Sequence, residues 1–134
     1  MDVIHTQNQL IQTLKGLTHI AFVPTMGNLH EGHIKLIQEA SKVSRNIVVS
    51  IFINPLQFNS KEDFKNYPRT LKEDLSILKE LDISFVFAPS EEDILDSLLE
   101  PISLVSFPLI KLFKSMMSLS FSNSIINLPF LGIL

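Results

Sequence analysis

The sequence predicts an α/β domain built around a parallel β-sheet, and two observations support this prediction. Residues 19–23 and 46–53 form short apolar runs, and the second is rich in β-branched residues, as in strands covered on both faces. Residues 34–40, between these runs, carry apolar side chains at helical spacing. A strand, a helix and a second strand in this order form one βαβ unit, which is right-handed in nearly all proteins.

The flanking segments predict further helices. Thr6 can cap a helix over residues 7–15, and Gly16 fits just past its end. Thr70 and Glu73 have the spacing of a capping box at the start of another helix. The packing face of that helix is expected to consist of Leu71, Leu75, Leu78 and Leu81.

Three shorter segments complete the predicted domain. Residues 61–68 are polar and predict a loop. Residues 83–87 predict a strand that Pro89 stops, and Ser90 can cap a short helix after it. We therefore expect a sheet with three parallel strands and flanking helices.

The composition excludes several functional classes. The 134 residues are 46% hydrophobic and 19% charged, which indicates a globular protein with one core. The net charge of −3 argues against a surface for nucleic acid. The chain has no cysteine, which excludes disulfides and thiol catalysis, and its start lacks the pattern of a signal peptide. We expect a cytoplasmic location.

The composition changes near residue 96, so we predict an N-terminal domain over residues 1–95 and an apolar Ser/Leu/Phe-rich tail over residues 96–134. After Glu100 only Lys111 and Lys114 carry charge. Prolines, lysines and asparagines interrupt the apolar runs of this tail, so no membrane span is predicted. We expect the change to reflect a frame change or a degraded gene end.

The segment with most chemical content is residues 23–33, between the first predicted strand and the next helix. Gly27 would let the backbone approach a ligand closely, and Gly32 would let the start of the helix pack tightly. A helix N-terminus attracts anions such as phosphate. His30 and His33 have the spacing that places both rings on one helix face, where they could donate hydrogen bonds to a phosphate. The alternative is that a histidine caps the helix; a zinc site is not expected, since cysteines and a second histidine pair are missing from the sequence.

The second predicted strand also ends in polar residues. Asn54 and Gln57 flank Pro55, which stops the strand. Because the carboxyl ends of neighbouring parallel strands lie at the same edge of the sheet, these amides are expected beside the histidine-containing turn. Amide groups suit a ligand with hydroxyl and carboxylate groups. The alternative is ordinary turn chemistry.

Four segments together resemble the pantothenate synthetase (pantoate–β-alanine ligase, AMP-forming) family. They are VPTMGNLHEGH (23–33), VSIFINPLQF (49–58), YPRTL (67–71) and FAPS (87–90), in the order and spacing of the family. The resemblance covers residues 1–95. It implies a truncated, Rossmann-like, doubly wound parallel sheet of the His-x-Gly-His nucleotidyltransferase type, and homodimers are possible.

The resemblance implies an enzyme of pantothenate and coenzyme A biosynthesis. ATP, with bound Mg2+, would react with pantoate to give pantoyl adenylate and pyrophosphate, and β-alanine would then displace AMP. His33 would stabilise the phosphate during transfer, with help from His30, and Gln57 would bind pantoate and contact β-alanine. The substrate site would also include Pro24, Thr25 and Asn54. The ATP site would be formed by Met26, Gly27, Asn28, Leu29, His30, Glu31, Gly32 and His33.

The sequence also departs from the family. Family members continue with a second pantoate-binding glutamine and with a mobile basic segment that holds the triphosphate, and neither is found here. Two alternatives therefore accompany the ligase interpretation. The chain could be a catalytically inactive fragment that binds nucleotide weakly, or another small nucleotidyltransferase.

Overall fold

Four parallel strands and one short antiparallel strand form the sheet of the computed structural model, which describes residues 1–98 and 132–133. The rest of the predicted tail lies outside the described residues. The strands run in the spatial order β1-β4-β3-β2-β5, with β5 antiparallel to β2. Their bounds are β1 (Asp2–Ile4), β2 (Ile20–Thr25), β3 (Asn46–Ile51), β4 (Phe85–Phe87) and β5 (Gly132–Ile133).

The prediction of three parallel strands is wrong, because β1 adds a fourth. This strand pairs in parallel with β4, with Val3 opposite Val86. Three residues are too short to display an apolar alternation, and the partner of β1 lies far along the chain. The strand is therefore fixed by tertiary pairing rather than by local sequence.

Five helices are present among the described residues, together with a 3-10 turn over Pro55–Gln57. The predicted loop over residues 61–68 is wrong, because residues 61–66 form a helix. Ser60 caps this helix by accepting a hydrogen bond from the Asp63 backbone N–H at 3.0 Å. The helix has no buried residue, so it lacks the apolar period that reveals a helix in sequence. The helices are α1 (Gln7–Leu14), α2 (Glu31–Val43), α3 (Lys61–Asn66), α4 (Leu71–Glu80) and α5 (Glu91–Leu98).

The sheet is covered by apolar side chains on both faces, as its apolar strands predict. One cluster joins Phe22 and Val48 to Leu10 of α1 and Ile94 of α5. The other joins side chains of the same strands to Ile37 of α2 and to α4. Helices therefore pack on both faces, which confirms the doubly wound α/β architecture. Among the described residues, none of the helices is both long and apolar enough to cross a bilayer.

The pairing of β2 with β3 places the two polar strand ends side by side. Their parallel register ends with Thr25 opposite Ile51, and the Phe52 backbone N–H donates to the Thr25 carbonyl at 3.0 Å. The backbone N and O atoms of Thr25 point toward β3, so the nitrogen of the preceding Pro24 points away from β3. This nitrogen has no hydrogen, and its position means that no hydrogen bond between β2 and β3 is lost. The turn after β2 and the residues after β3 therefore share one edge of the sheet.

Candidate nucleotide-binding site

The turn between β2 and α2 contains two consecutive left-handed residues, Gly27 (φ 77°) and Asn28 (φ 52°). A Cβ atom on Gly27 would lie 2.9 Å from the Asp74 carboxylate and 3.2 Å from the Ile51 side chain. Glycine is therefore required here by both backbone conformation and space. The close neighbour of Gly27 is a carboxylate of the protein itself.

Asp74 of α4, a residue that is only 1% exposed, holds this turn through its carboxylate. Its Oδ1 accepts from the Leu29 backbone N–H at 2.8 Å, and its Oδ2 accepts from the Asn28 N–H at 3.0 Å. Sequence reasoning missed this residue because α4 was interpreted as a packing helix. One feature of the sequence could have indicated it. Asp74 lies four positions before Leu78, so this acidic residue is on the helix face that is turned to the core, where Leu78 is fully buried.

The predicted capping box of α4 is wrong. Thr70 is the N-cap residue, but its side chain makes no capping hydrogen bond to the helix. Its hydroxyl instead accepts from the Asn28 N–H at 3.1 Å and donates to Asp74 Oδ2 at 3.1 Å. The hydroxyl thus serves the neighbouring turn, and Glu73 remains exposed to solvent.

The two histidines cap α2 reciprocally. His30 is the N-cap residue, and its Nδ1 accepts from the Gly32 N–H at 3.0 Å. His33 Nδ1 accepts from the His30 N–H at 3.3 Å, and the ring centroids lie 4.1 Å apart. The two rings therefore lie close together, as predicted. The alternative interpretation, in which a histidine caps the helix, is also correct. Gly32 permits this arrangement, because a Cβ atom there would lie 2.9 Å from the His30 ring.

These contacts determine the tautomer of both rings. A backbone N–H can only donate, so each Nδ1 must be an unprotonated acceptor. A neutral ring then carries its proton on Nε2, and neither Nε2 atom bonds to another described residue. The turn therefore presents two N–H donors in addition to the backbone donors at the start of α2.

Burial keeps His33 neutral. The residue is 7% exposed, and this desolvation lowers its pKa below the ordinary 6.5, with a further lowering from His30. The Asp74 carboxylate opposes this shift and raises the pKa of His33. Burial and the Asp74 carboxylate also raise the pKa of Tyr67 above 10.0, so its hydroxyl keeps its proton near neutral pH.

The β3 end contributes a buried amide. Asn54 is fully buried, and its Oδ1 accepts from the Leu56 N–H at 3.1 Å. Its Nδ2 has no hydrogen-bond partner among the described residues. Gln57 is half-buried in the 3-10 turn that follows. A buried donor without a partner is costly, so Asn54 has capacity for a ligand at this edge.

Thr25 is differently placed, because its hydroxyl is already bonded within the protein. It donates to the Ser50 carbonyl at 2.8 Å and accepts from the Gly27 N–H at 3.1 Å. These bonds tie the turn to β3. Pro24 and Met26 are half-buried beside it. No group of three or more His, Cys, Asp or Glu side chains suited to a metal occurs in the part of the chain that the structure describes.

The sequence profile of the family described as pantoate-beta-alanine ligase matches residues 2–120. The chain belongs to the pantoate–β-alanine ligase family. It is 51% identical over 94 residues to the pantothenate synthetase of Neisseria meningitidis serogroup C, covering 70% of this chain and 34% of that protein. The pantoate–β-alanine ligase of Schizosaccharomyces pombe is 48% identical over 89 residues, which are 66% of this chain and 31% of that protein. The chain thus spans about a third of the length of these relatives.

Solved structures of ligases in this family have the same fold. The Francisella tularensis pantoate–β-alanine ligase, complexed with beta-gamma ATP and β-alanine, matches with a TM-score of 0.68 and 43% identity, over 70% of this chain and 37% of that one. The pantothenate synthetase of Thermus thermophilus matches with a TM-score of 0.66 and 40% identity, over 69% and 33% of the two chains. The Rossmann-like nucleotidyltransferase fold is confirmed.

Proposed function

We propose that this chain binds ATP at the turn after β2 and pantoate at the adjoining end of β3, for the formation of pantoyl adenylate. The observation that carries the proposal is the fixed pair His30 and His33, whose Nε2–H donors are unpaired among the described residues. The buried, unpartnered Nδ2 of Asn54 lies at the same sheet edge. Family membership supports ATP and pantoate as the ligands.

In the proposed first step, a carboxylate oxygen of pantoate attacks the α-phosphorus of ATP. The bond from that phosphorus to the bridging oxygen breaks, and pyrophosphate leaves with the bond electrons. Negative charge grows on the phosphate oxygens, where His33 and His30 would donate hydrogen bonds from neutral rings. The N–H groups at the start of α2 act in the same sense. Magnesium would arrive as the ATP complex, because it is usually held largely by substrate phosphates.

In the second step, the amine of β-alanine would attack the acyl carbon of pantoyl adenylate and displace AMP. We assign pantoate binding to Gln57 and Asn54, whose amides can both donate and accept. Thr25 and Pro24 would shape the site from the end of β2. The hydroxyl of Thr25 already makes two internal bonds, which supports a structural contribution.

The test is pyrophosphate release by the purified chain with MgATP and pantoate. We expect release that requires pantoate and that falls roughly 10²- to 10³-fold in the His33→Asn variant, whose shorter amide can replace Nδ1 as an acceptor but does not reach the position of the Nε2–H donor, by analogy with the loss of one donor to a developing charge. His19→Asn is the matched control, because His19 is exposed at the opposite end of β2 and its left-handed backbone suits asparagine. Equal release by both variants and the unmodified chain would refute the assignment.

One observation favours a second candidate, nucleotide binding without transfer. Among residues 1–94, no Lys or Arg side chain forms a hydrogen bond to the turn, although family chemistry requires stabilisation of the departing pyrophosphate. Arg69, the nearest arginine in sequence to Thr70, donates to the carbonyls of Phe64, Lys65 and Tyr67. Saturable binding of a non-hydrolysable ATP analogue, without pyrophosphate release from MgATP and pantoate, would identify this second function.

A further inference from the structure

Asp74 does more than pack α4 against the core, because its carboxylate forms several hydrogen bonds. Its two carboxylate oxygens accept from three donors, the backbone N–H groups of Asn28 and Leu29 and the hydroxyl of Thr70. The same hydroxyl also accepts from the Asn28 N–H. The turn that carries the histidines is therefore joined to α4, a helix more than forty residues later in the chain, by charge-assisted bonds.

This arrangement is unexpected at an anion site. A carboxylate beside a bound triphosphate is unfavourable unless its charge is taken up by the protein, and here backbone donors take it up. In turn, the N–H groups of Asn28 and Leu29 are directed toward α4. The left-handed conformation of Gly27 and Asn28 is thereby fixed, and the chain enters α2 in one direction.

We propose that Asp74 is a positioning residue for the His30–His33 pair, acting through the turn that it clamps. His30 directly follows Leu29, whose N–H makes the shortest bond to Asp74, at 2.8 Å. The direction of the chain at Leu29 sets the His30 N–H, which is the donor that fixes the tautomer of His33. Loss of the clamp should therefore release both ring tautomers. The catalytic meaning of this role rests on the proposed function, whereas the structural coupling does not.

Electrostatics support the same assignment. The Asp74 carboxylate acts on the His33 ring without a hydrogen bond to it, and it opposes the lowering of the His33 pKa by burial. Removing the negative charge should therefore lower the pKa of His33 further. A carboxylate that served packing only, at a distance from the site, would leave the histidine unchanged.

The experiment is nitrogen-15 NMR of the histidine rings in the full chain, at a pH where they are neutral to identify the tautomers and over a pH titration to measure the pKa of His33. The chain has four histidines, so assignment is tractable. In the unmodified chain we expect His30 and His33 with bare Nδ1 and protonated Nε2. In Asp74→Asn, whose amide cannot accept from all the donors, we expect mixed tautomers at both rings and a lower pKa for His33. Glu73→Gln is the matched control, because it removes the same charge from an exposed position on the same helix.

Amide hydrogen exchange gives a second readout. Exchange at Leu29 should accelerate about 10- to 100-fold in Asp74→Asn, as expected for loss of a hydrogen bond to a charged acceptor. If that variant does not fold, Thr70→Val retains the carboxylate and removes only the hydroxyl. Strong protection at Leu29 with faster exchange at Asn28 would then support the clamp, and an unprotected Leu29 N–H in this variant, which keeps the Asp74 carboxylate, would overturn it.

Two results separate the clamp from the proposed function. A folded Asp74→Asn variant with both tautomers and the Leu29 exchange rate unchanged would overturn the clamp. Failure of the unmodified chain to bind a non-hydrolysable ATP analogue would overturn the proposed function and leave the NMR result on Asp74 intact. If the clamp and the proposed function are both correct, the analogue should bind the Asp74→Asn variant about tenfold more weakly than the Glu73→Gln variant. This is the effect expected for the loss of one correctly oriented hydrogen bond.

Discussion

The two halves of the candidate site differ in how their polar groups are used. In the turn after β2, the N–H groups of Gly27, Asn28 and Leu29 all bond within the protein, to Thr25, Thr70 and Asp74. At the end of β3, the buried Nδ2 of Asn54 has no partner among the described residues. The first half is built before a ligand arrives, and the second retains a donor that a ligand can satisfy. The ring Nε2–H donors of the two histidines are thereby held in place before binding. Donors held in this way lose little conformational freedom on binding, which favours catalysis by fixed dipoles.

The largest expected effect comes from Gly27→Ala, which breaks the rigid half. The added Cβ would meet the Asp74 carboxylate at 2.9 Å in a left-handed backbone. We expect the free energy of unfolding, measured with urea, to fall by about 2–4 kcal/mol from backbone strain and overpacking together.

Gly16→Ala is the matched control for this prediction. Gly16 is also left-handed, at φ 83°, but a Cβ atom added there would meet nothing within 4 Å beyond its chain neighbours. We expect a loss of only about 1–2 kcal/mol, from backbone strain. Equal losses at both positions would contradict a close contact between Gly27 and Asp74.

A smaller effect is expected for Thr25→Val, which keeps the shape of the side chain and removes both hydroxyl bonds. The Gly27 N–H would be left buried without its partner. We expect a loss of about 1–3 kcal/mol in the free energy of unfolding, and a smaller loss for Thr25→Ser, which keeps the hydroxyl. A stable Thr25→Val variant with weakened pantoate binding would instead place Thr25 among the ligand contacts.

The smallest effect is a pH dependence of stability. The folded-state pKa of His33 is lowered by burial, so the unfolded chain takes up a proton at this residue first as pH falls. The stability that neutral His33 contributes is fully present above 6.5, its pKa in the unfolded chain. This stability is lost as the pH falls from there through the pKa of the folded state. We expect the free energy of unfolding to decline in this window, and to decline less in His33→Gln. Identical pH profiles for the two proteins would argue against a buried, neutral His33.

The comparison of the two halves also shows what sequence can reveal. The apolar runs and helical spacing of residues 19–53 are local signals, and they predicted the βαβ unit and the common edge of the two strand ends. The pair His30 and His33 was visible for the same reason, since the two residues are only three positions apart in the sequence. These predictions depended on neighbours a few residues apart.

The features that sequence did not reveal depend on distant partners. Thr70 and Glu73 have the pattern of a capping box, yet the hydroxyl of Thr70 bonds to Asn28 and Asp74 instead. Strand β1 exists because β4 pairs with it. The local pattern around these residues is compatible with several partners, and tertiary packing selects among them. The roles assigned to Gln57 and Asn54 in pantoate binding stay predictions.

The central claim, that the turn is built in advance and the β3 end awaits a ligand, is tested most directly by NMR titration of the isotopically labelled chain with a non-hydrolysable ATP analogue and pantoate. We expect the largest shifts at the ring Nε2–H groups of His30 and His33 and at the Asn54 side-chain amide. The backbone amides of Asn28 and Leu29 should barely move, because Asp74 holds them. Large shifts at those two amides, with an unchanged Asn54 amide, would contradict the account.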